Sequence, residues 1–276
     1  MTGARTDRWL RLDGTANTRD LGGLPTTDGG RTLPRRILRS DNLQTLSPAD
    51  VRLLVDGVGL REVIDLRTTA EILLEGRGPL RGVPSVTHRH FTLLPERGHH
   101  TDVFAVEEDE DVELPAEWGE SILPRQTAEH DQHEPPAVRS YLGYLSDRPE
   151  AVIDALRALA SGGPGAAVVH CAAGKDRTGV VCALTLAVAG VGHDDIVADY
   201  ALSAEAIDGV VARLSASPTY ADDMARRDPA THTPRAETMD RVLALLDQRW
   251  GGPVGWLEAH GFGAGEQAAL RARLRD

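Results

Sequence analysis

Residues 166–170, Ala-Ala-Val-Val-His, narrow the possible folds more than any other stretch of this chain. A run of small and β-branched residues without polar alternation suits a strand covered on both faces, and such strands belong to parallel sheets flanked by helices. The run leads into His170-Cys171-Ala172-Ala173-Gly174-Lys175-Asp176-Arg177-Thr178-Gly179 and then into a mostly apolar segment, 180–191. That segment has 12 residues, against roughly 20 needed to span a bilayer, so it reads as a buried helix. Strand, small-residue turn and helix in succession form the building unit of an α/β protein.

The rest of the chain extends that unit. Residues 36–39 form a short strand candidate, and Ser47-Pro48-Ala49-Asp50 opens a helix with an N-cap Ser, a first-turn Pro and an early Asp. Residues 62–66 are a further strand, followed by the capping-box string Thr68-Thr69-Ala70-Glu71, and 86–94 supply a third. Helical periodicity marks 149–160, 178–190, 194–213, 236–248 and 265–275. The expected architecture is one α/β domain over 1–276, with a mainly parallel central sheet flanked by helices. Two stretches interrupt it: 96–137, acidic, irregular and lid-like, with Pro at 115, 124, 135 and 136, and a second irregular stretch at 214–235. Both are expected near or over the mouth of a site at the C-terminal ends of the strands.

Charge and cysteine usage exclude several classes. The formal net charge is −12, with 42 acidic and 30 basic residues, which argues against a basic nucleic-acid binder. Residues 96–137 hold 13 of the acids and 2 of the bases, so the remainder, at 29 against 28, is close to neutral. Two cysteines, Cys171 and Cys182, make neither a disulfide framework nor a thiolate zinc site. The first 14 residues carry no apolar signal-peptide core, so the expectation is a cytoplasmic protein, or one exported without a recognisable signal peptide.

The loop 171–177 carries the chemistry. Small residues between a parallel strand and a helix turn successive backbone N–H groups, and the positive helix end, into one concavity suited to a tetrahedral dianion. Cys171 at its entrance lies in the same field, which favours thiolate over thiol. Arg177 folds back to offer a planar fork to two phosphoryl oxygens, while Ala172, Ala173 and Gly174 leave the floor free. Lys175 is the sole Lys among 30 basic residues; the plain reading is a surface ammonium, the sharper one a flexible cation for a second phosphate. Thr178 is placed to cap the helix or to hydrogen-bond the Cys171 sulfur. His170 is expected to hydrogen-bond the loop backbone in a supporting role, and Cys182 to fill the core. The histidines at 88, 90, 99, 100, 130 and 133 read as polar surface, with no metal site and no cofactor expected. Gly57-Val58-Gly59 lacks a strand-turn-helix context and Gly174-Lys175 is followed by Asp, so neither dinucleotide nor Walker-type binding is indicated.

The C-x5-R loop resembles the signature of the cysteine-dependent tyrosine and dual-specificity phosphatases, and H-C-x-x-G-K-D-R-T-G is similar to their atypical bacterial branch. Asn17-Thr18-Arg19-Asp20-Leu21-Gly22-Gly23, Arg39-Ser40-Asp41-Asn42-Leu43 and Asp65-Leu66-Arg67-Thr68-Thr69-Ala70-Glu71 resemble further elements of that branch, and 239–274 its closing helices. Within it the chain is similar to the secreted mycobacterial-type triple-specificity tyrosine/lipid phosphatases. The resemblance implies hydrolysis of phosphomonoesters through a phosphocysteine: Cys171 attacks phosphorus while Arg177 and the loop amides hold the spreading charge. It implies phosphotyrosine proteins or phosphoinositides as substrates and associates Lys175 with phosphoinositides, while the charge balance argues against nucleic acid and the short apolar run against stable membrane insertion. Nothing resembles the separate acid loop of conventional tyrosine phosphatases, so the leaving-group acid is Asp176 or Asp65, the latter alternatively a carboxylate that pairs with Arg177. Arg19 and Arg67 either line the pocket mouth or serve as structural ion-pair partners. Two other readings compete: a phospholigand-binding module that has lost turnover, and arsenate reduction, for which Cys182 is a poor resolving cysteine.

Overall fold

The computed structural model describes residues 8–96, 123, 126, 133–226 and 232–275. Five strands, β1 (Arg19–Asp20), β2 (Ile37–Ser40), β3 (Leu60–Asp65), β4 (Thr87–His90) and β5 (Ala166–His170), form one sheet in the order β1-β2-β5-β3-β4. All neighbours are parallel except the short edge strand β1, which runs antiparallel to β2. The all-buried Ala-Ala-Val-Val-His run is the central strand, as a run apolar on both faces requires. Its last residue, His170, is in register with Ser40 on one side and Asp65 on the other. Three strand ends therefore open onto the same edge, where an open α/β sheet places its ligand.

Alternate residues of β5 face two cores. Ala167 and Val169, with Ile37 and Ile64, pack against the larger cluster. It is built from α3 (Pro136–Asp147), α4 (Pro149–Ser161), α5 (Asp176–Val188), α9 (Ala236–Trp250), α10 (Pro253–Ala259) and α11 (Ala264–Arg275). Ala166 and Val168, with Leu38, Leu60 and Val63, pack against the smaller cluster beside α1 (Pro48–Arg52) and the π-helical turn after it. Ser47 caps α1 and Thr68 caps α2 (Thr69–Glu75), as their sequence strings predict; the expected capping box forms through Glu71, and Asp50 closes a second one at Ser47.

Three expectations need correction. The helix read over 194–213 is broken into α6 (His193–Ala201), a 3-10 turn at Leu202–Ala206 and α7 (Ile207–Ala216). The break falls where Arg19 donates to the Asp199 carbonyl (2.7 Å) and to the Ser203 hydroxyl (3.1 Å). The stretch 214–235 is not wholly irregular, because it contains the end of α7 and a short helix α8 (Ala221–Arg226). The end of 96–137 already belongs to α3: Pro135 and Pro136 start a helix instead of breaking it, and Val138, Tyr141, Leu142 and Leu145 then form a buried stripe. Most of 96–137 lies outside the described residues, as do His99, His100 and His130. Among the described residues no helix is long and apolar enough to cross a membrane.

Candidate active site

The loop 171–175 joins β5 to α5, and its shape is set by where its carbonyl oxygens go. The Ala172 carbonyl accepts from the Asn42 backbone N–H (2.9 Å). The Asn17 side-chain amide donates to the carbonyls of Ala173 (3.1 Å) and Gly174 (3.2 Å), and Arg39 Nη2 to that of Gly174 (2.8 Å). No peptide among the described residues is cis. In a trans peptide C=O and N–H point to opposite sides, so pulling three consecutive carbonyls into the protein turns the N–H groups of Ala173, Gly174 and Lys175 the other way. With the free first-turn amides of α5 they form an anion-binding concavity.

Gly174 is indispensable to that shape. Its φ is +65°, and a Cβ there would lie 2.5 Å from the Ser40 carbonyl carbon and oxygen. Gly174→Ala combines a left-handed conformation costing about 1–2 kcal/mol with a backbone collision. The expected result is vanadate affinity at least about tenfold weaker, measurable by inhibition titration.

The cradle under the loop is charged. Arg8 Nη1 (2.7 Å), Arg19 Nε (3.4 Å) and Arg39 Nη1 (2.8 Å) all meet the carboxylate of Asp199, which is 1% exposed. Burial works against the Asp199 charge, yet Arg19 and Arg39 outweigh it and hold the carboxyl well below its ordinary range. Burial, with the positive charge of Arg39, lowers Arg19 to about 9. Arg19 also fixes Asn17, donating from Nη1 to the amide oxygen at 2.5 Å. Of its two sequence readings, Arg19 thus takes the ion-pair one: it is wholly buried, with its guanidinium 5.1 Å from the Trp9 ring centroid.

Arg177 is held by Glu71. Its Nη1 and Nη2 meet Oε2 (2.5 Å) and Oε1 (2.9 Å) of that carboxylate in a buried, two-pronged pair. Burial opposes both charges, but the pairing prevails, raising Arg177 and lowering Glu71 from their ordinary values. Glu71 Oε2 also accepts the Thr68 N–H (2.7 Å) in the capping box, and the Tyr220 hydroxyl donates to Oε1 (3.1 Å). The expected pairing of Asp65 with Arg177 is therefore corrected. Asp65 meets Arg67, at 2.6 Å from Nη2, and His170 Nε2 at 3.4 Å. Burial pushes the Asp65 carboxyl up, but Arg67 and His170 more than compensate, leaving it well below the usual range. Arg67 is likewise an ion-pair partner, and it donates to Asn42 Oδ1 (3.2 Å) as well.

The remaining loop residues surround these pairs. Cys171 is 2% exposed, and His170 Nδ1 donates to its carbonyl at 3.3 Å, the backbone contact expected of that imidazole. Asp176 opens α5, its Oδ1 accepting from the Tyr141 hydroxyl (2.6 Å). Lys175 is not a free surface ammonium: its Nζ donates to the His232 carbonyl (2.8 Å) and stands 3.5 Å from Asp176 Oδ1. Thr178 makes neither expected contact, because α5 begins at Asp176 and puts it inside the first turn; among the described residues its buried hydroxyl has no hydrogen-bond partner. Cys182 is core filling, with its thiol pushed up to about 12 by burial. Ala172 and Ala173 pack under Val210, Leu214, Tyr220 and Met224, so α7 and α8 roof the loop. Among the described residues no group of three or more His, Cys, Asp or Glu is arranged to hold a metal ion.

Sequence reasoning missed Asp199, Tyr141, Tyr220 and the second role of Glu71. Only Glu71 left a signal, as the N3 member of a capping box.

A cysteine at the end of a parallel strand, followed by a loop whose amides line one concavity and by a guanidinium held by a buried carboxylate, is an arrangement suited to a phosphoryl group. Residues 10–276 match the tyrosine phosphatase family, and the chain belongs to that family. Two relatives locate it further. It is 31% identical over 147 residues to a tyrosine-protein phosphatase of Nostoc commune, a match covering 49% of this chain and 48% of that protein. It is 27% identical over 287 aligned positions to the triple specificity protein phosphatase PtpB of Mycobacterium tuberculosis, covering 95% of this chain and 98% of the relative.

Proposed function

We propose that this protein hydrolyses phosphate monoesters through a phosphocysteine on Cys171, with phosphotyrosine as its principal substrate class. The observation that carries the reading is the set of three carbonyls drawn away from the loop, which leaves its amides facing the place where a phosphoryl group would meet Cys171. The sulfur of Cys171 attacks phosphorus, and the bond to the ester oxygen breaks. Loop amides and the N–H groups of Arg177 used neither by Glu71 nor by the Leu66 carbonyl take the charge on the equatorial oxygens. Asp176 gives its proton to the leaving oxygen; water then attacks phosphorus while the Asp176 carboxylate takes one of its protons, the S–P bond breaks, and phosphate leaves with Cys171 and Asp176 restored. Asp176 suits the acid role better than Asp65, whose carboxyl is held ionised by Arg67 and His170 and so has no proton to give.

Access is part of this reading. Cys171 is buried, and α7 and α8 lie over the adjoining Ala172 and Ala173, so the described parts of 214–235 serve as the lid that moves aside for an aryl phosphate. Its ties to the site are Tyr220 on Glu71 and the His232 carbonyl on Lys175. Phosphoinositides form a second substrate class, supported by a single Lys at the pocket and by a relative named for triple specificity.

The test is turnover of phosphotyrosine, phosphoserine and phosphoinositide substrates with a chelator present, for wild type, Lys175→Ala and Asp176→Asn. Phosphate release from phosphotyrosine by the wild type, with a selective loss of phosphoinositide turnover in Lys175→Ala, is expected. No release from any substrate would sink the proposal. An unchanged profile in Lys175→Ala would reduce that residue to a tie for the 232 segment.

A further inference from the structure

The tyrosines packed against α5 have no part in the steps above, yet one of them grips the residue that the reaction asks to give up a proton. Tyr141, on α3 and 1% exposed, donates from its hydroxyl to Asp176 Oδ1 at 2.6 Å. The Tyr200 hydroxyl, on α6, lies 2.7 Å from that of Tyr141, with the two rings edge to face at 6.0 Å. A phenol has one proton to donate. Since Tyr141 gives its proton to the carboxylate, the bond between the two hydroxyls runs from Tyr200 to Tyr141. Burial, with its neighbour Asp176, raises Tyr141 well above the ordinary phenol value, so it remains a donor. Gly179 lets the Tyr200 ring pack close to α5: a Cβ there would stand 3.0 Å from that ring.

We infer that Tyr141, backed by Tyr200, is a positioning residue that dictates which oxygen of Asp176 carries the catalytic proton. Oδ1 is occupied by the Tyr141 hydroxyl and faces the Lys175 ammonium at 3.5 Å. With both of these groups at Oδ1, the proton that the acid carries is left to the other oxygen. Among the described residues no hydrogen bond reaches Oδ2, so the proton resides there and is directed at the leaving oxygen. The inference rests on the reading of Asp176 as the general acid.

The test is kcat/KM for a series of aryl phosphates running from dinitrophenyl phosphate, whose leaving group needs no proton, to phenyl phosphate, whose leaving group does. Tyr141→Phe is expected to lose roughly tenfold on phenyl phosphate, the worth of one hydrogen bond to a charged group, and almost nothing on dinitrophenyl phosphate. Tyr200→Phe should lose less, in the same pattern. Comparing two leaving groups on one preparation cancels any difference in the fraction folded. On an Asp176→Asn background, Tyr141→Phe should add nothing. An equal loss across all leaving groups, or an additive loss on that background, overturns the inference. If Asp176→Asn shows the leaving-group dependence and Tyr141→Phe does not, the positioning role alone fails. If Asp176→Asn itself shows none, the acid assignment fails and the inference with it.

Discussion

Arg177→Lys is expected to lower kcat by about 10³-fold, near 4 kcal/mol of transition-state stabilisation, while the protein stays folded. In the wild type one planar group does two jobs. Two of its nitrogens hold Glu71 at 2.5 and 2.9 Å, one of them also reaching the Leu66 carbonyl at 3.4 Å, and the N–H groups left over are fixed in direction by that grip. A lysine ammonium keeps the charge that Glu71 needs but cannot present a rigid fork to two phosphoryl oxygens at the same time. Stability should therefore change little and catalysis greatly. A single-turnover assay beside a thermal melt separates the two; a variant that retained a tenth of wild-type kcat would show that the guanidinium geometry does not matter.

Asp199→Ala carries the largest expected loss of stability, about 3–5 kcal/mol, because removing one partner of a buried ion pair leaves charge without compensation. Here one carboxylate serves three guanidinium groups. Arg8 is close enough to solvent to turn outward, at 14% side-chain exposure, but Arg19 and Arg39 at 0% and 1% are not. Arg39 and, through Asn17, Arg19 also hold the loop carbonyls, so vanadate binding should weaken along with the fold. The urea midpoint should fall with the slope unchanged; a shift worth less than about 1 kcal/mol, the usual value of an exposed pair, would contradict this account. The same group makes the protein acid-sensitive. Its folded-state pKa lies below the value of about 3.9 in an unfolded chain, so its contribution is complete above that pH and is lost as pH falls beneath it.

What the chain discloses in advance depends on how far apart the partners are. The central strand, the loop after it, the Ser47 cap and the Thr68–Glu71 capping box depend on neighbours within a few positions, and each is readable as a string. Pro135-Pro136 misleads because proline ends one kind of segment and begins another; only the buried stripe from Val138 to Leu145 decides between them. Glu71 is hidden differently. It satisfies a local rule with Oε2 on the Thr68 N–H, so nothing marks it as unused, yet the same oxygen meets Arg177, 106 residues away. Asp199 lies within a helical pattern where an acidic residue needs no explanation, and its three arginines come from the opposite end of the chain. The motifs around Asn17 and Arg39 could be matched to a family without disclosing their work, which is to hold the carbonyls of a loop more than 130 positions further on.

The central claim is that Cys171 accepts the phosphoryl group covalently. Wild-type enzyme turning over an aryl phosphate, quenched in acid within the first turnovers and mapped by peptide mass spectrometry, should carry one phosphoryl group on the peptide containing Cys171. Cys171→Ser should show neither that adduct nor phosphate release. Full turnover without a phosphocysteine, undiminished activity in Cys171→Ser, or tight vanadate binding by a protein that turns nothing over would each contradict it.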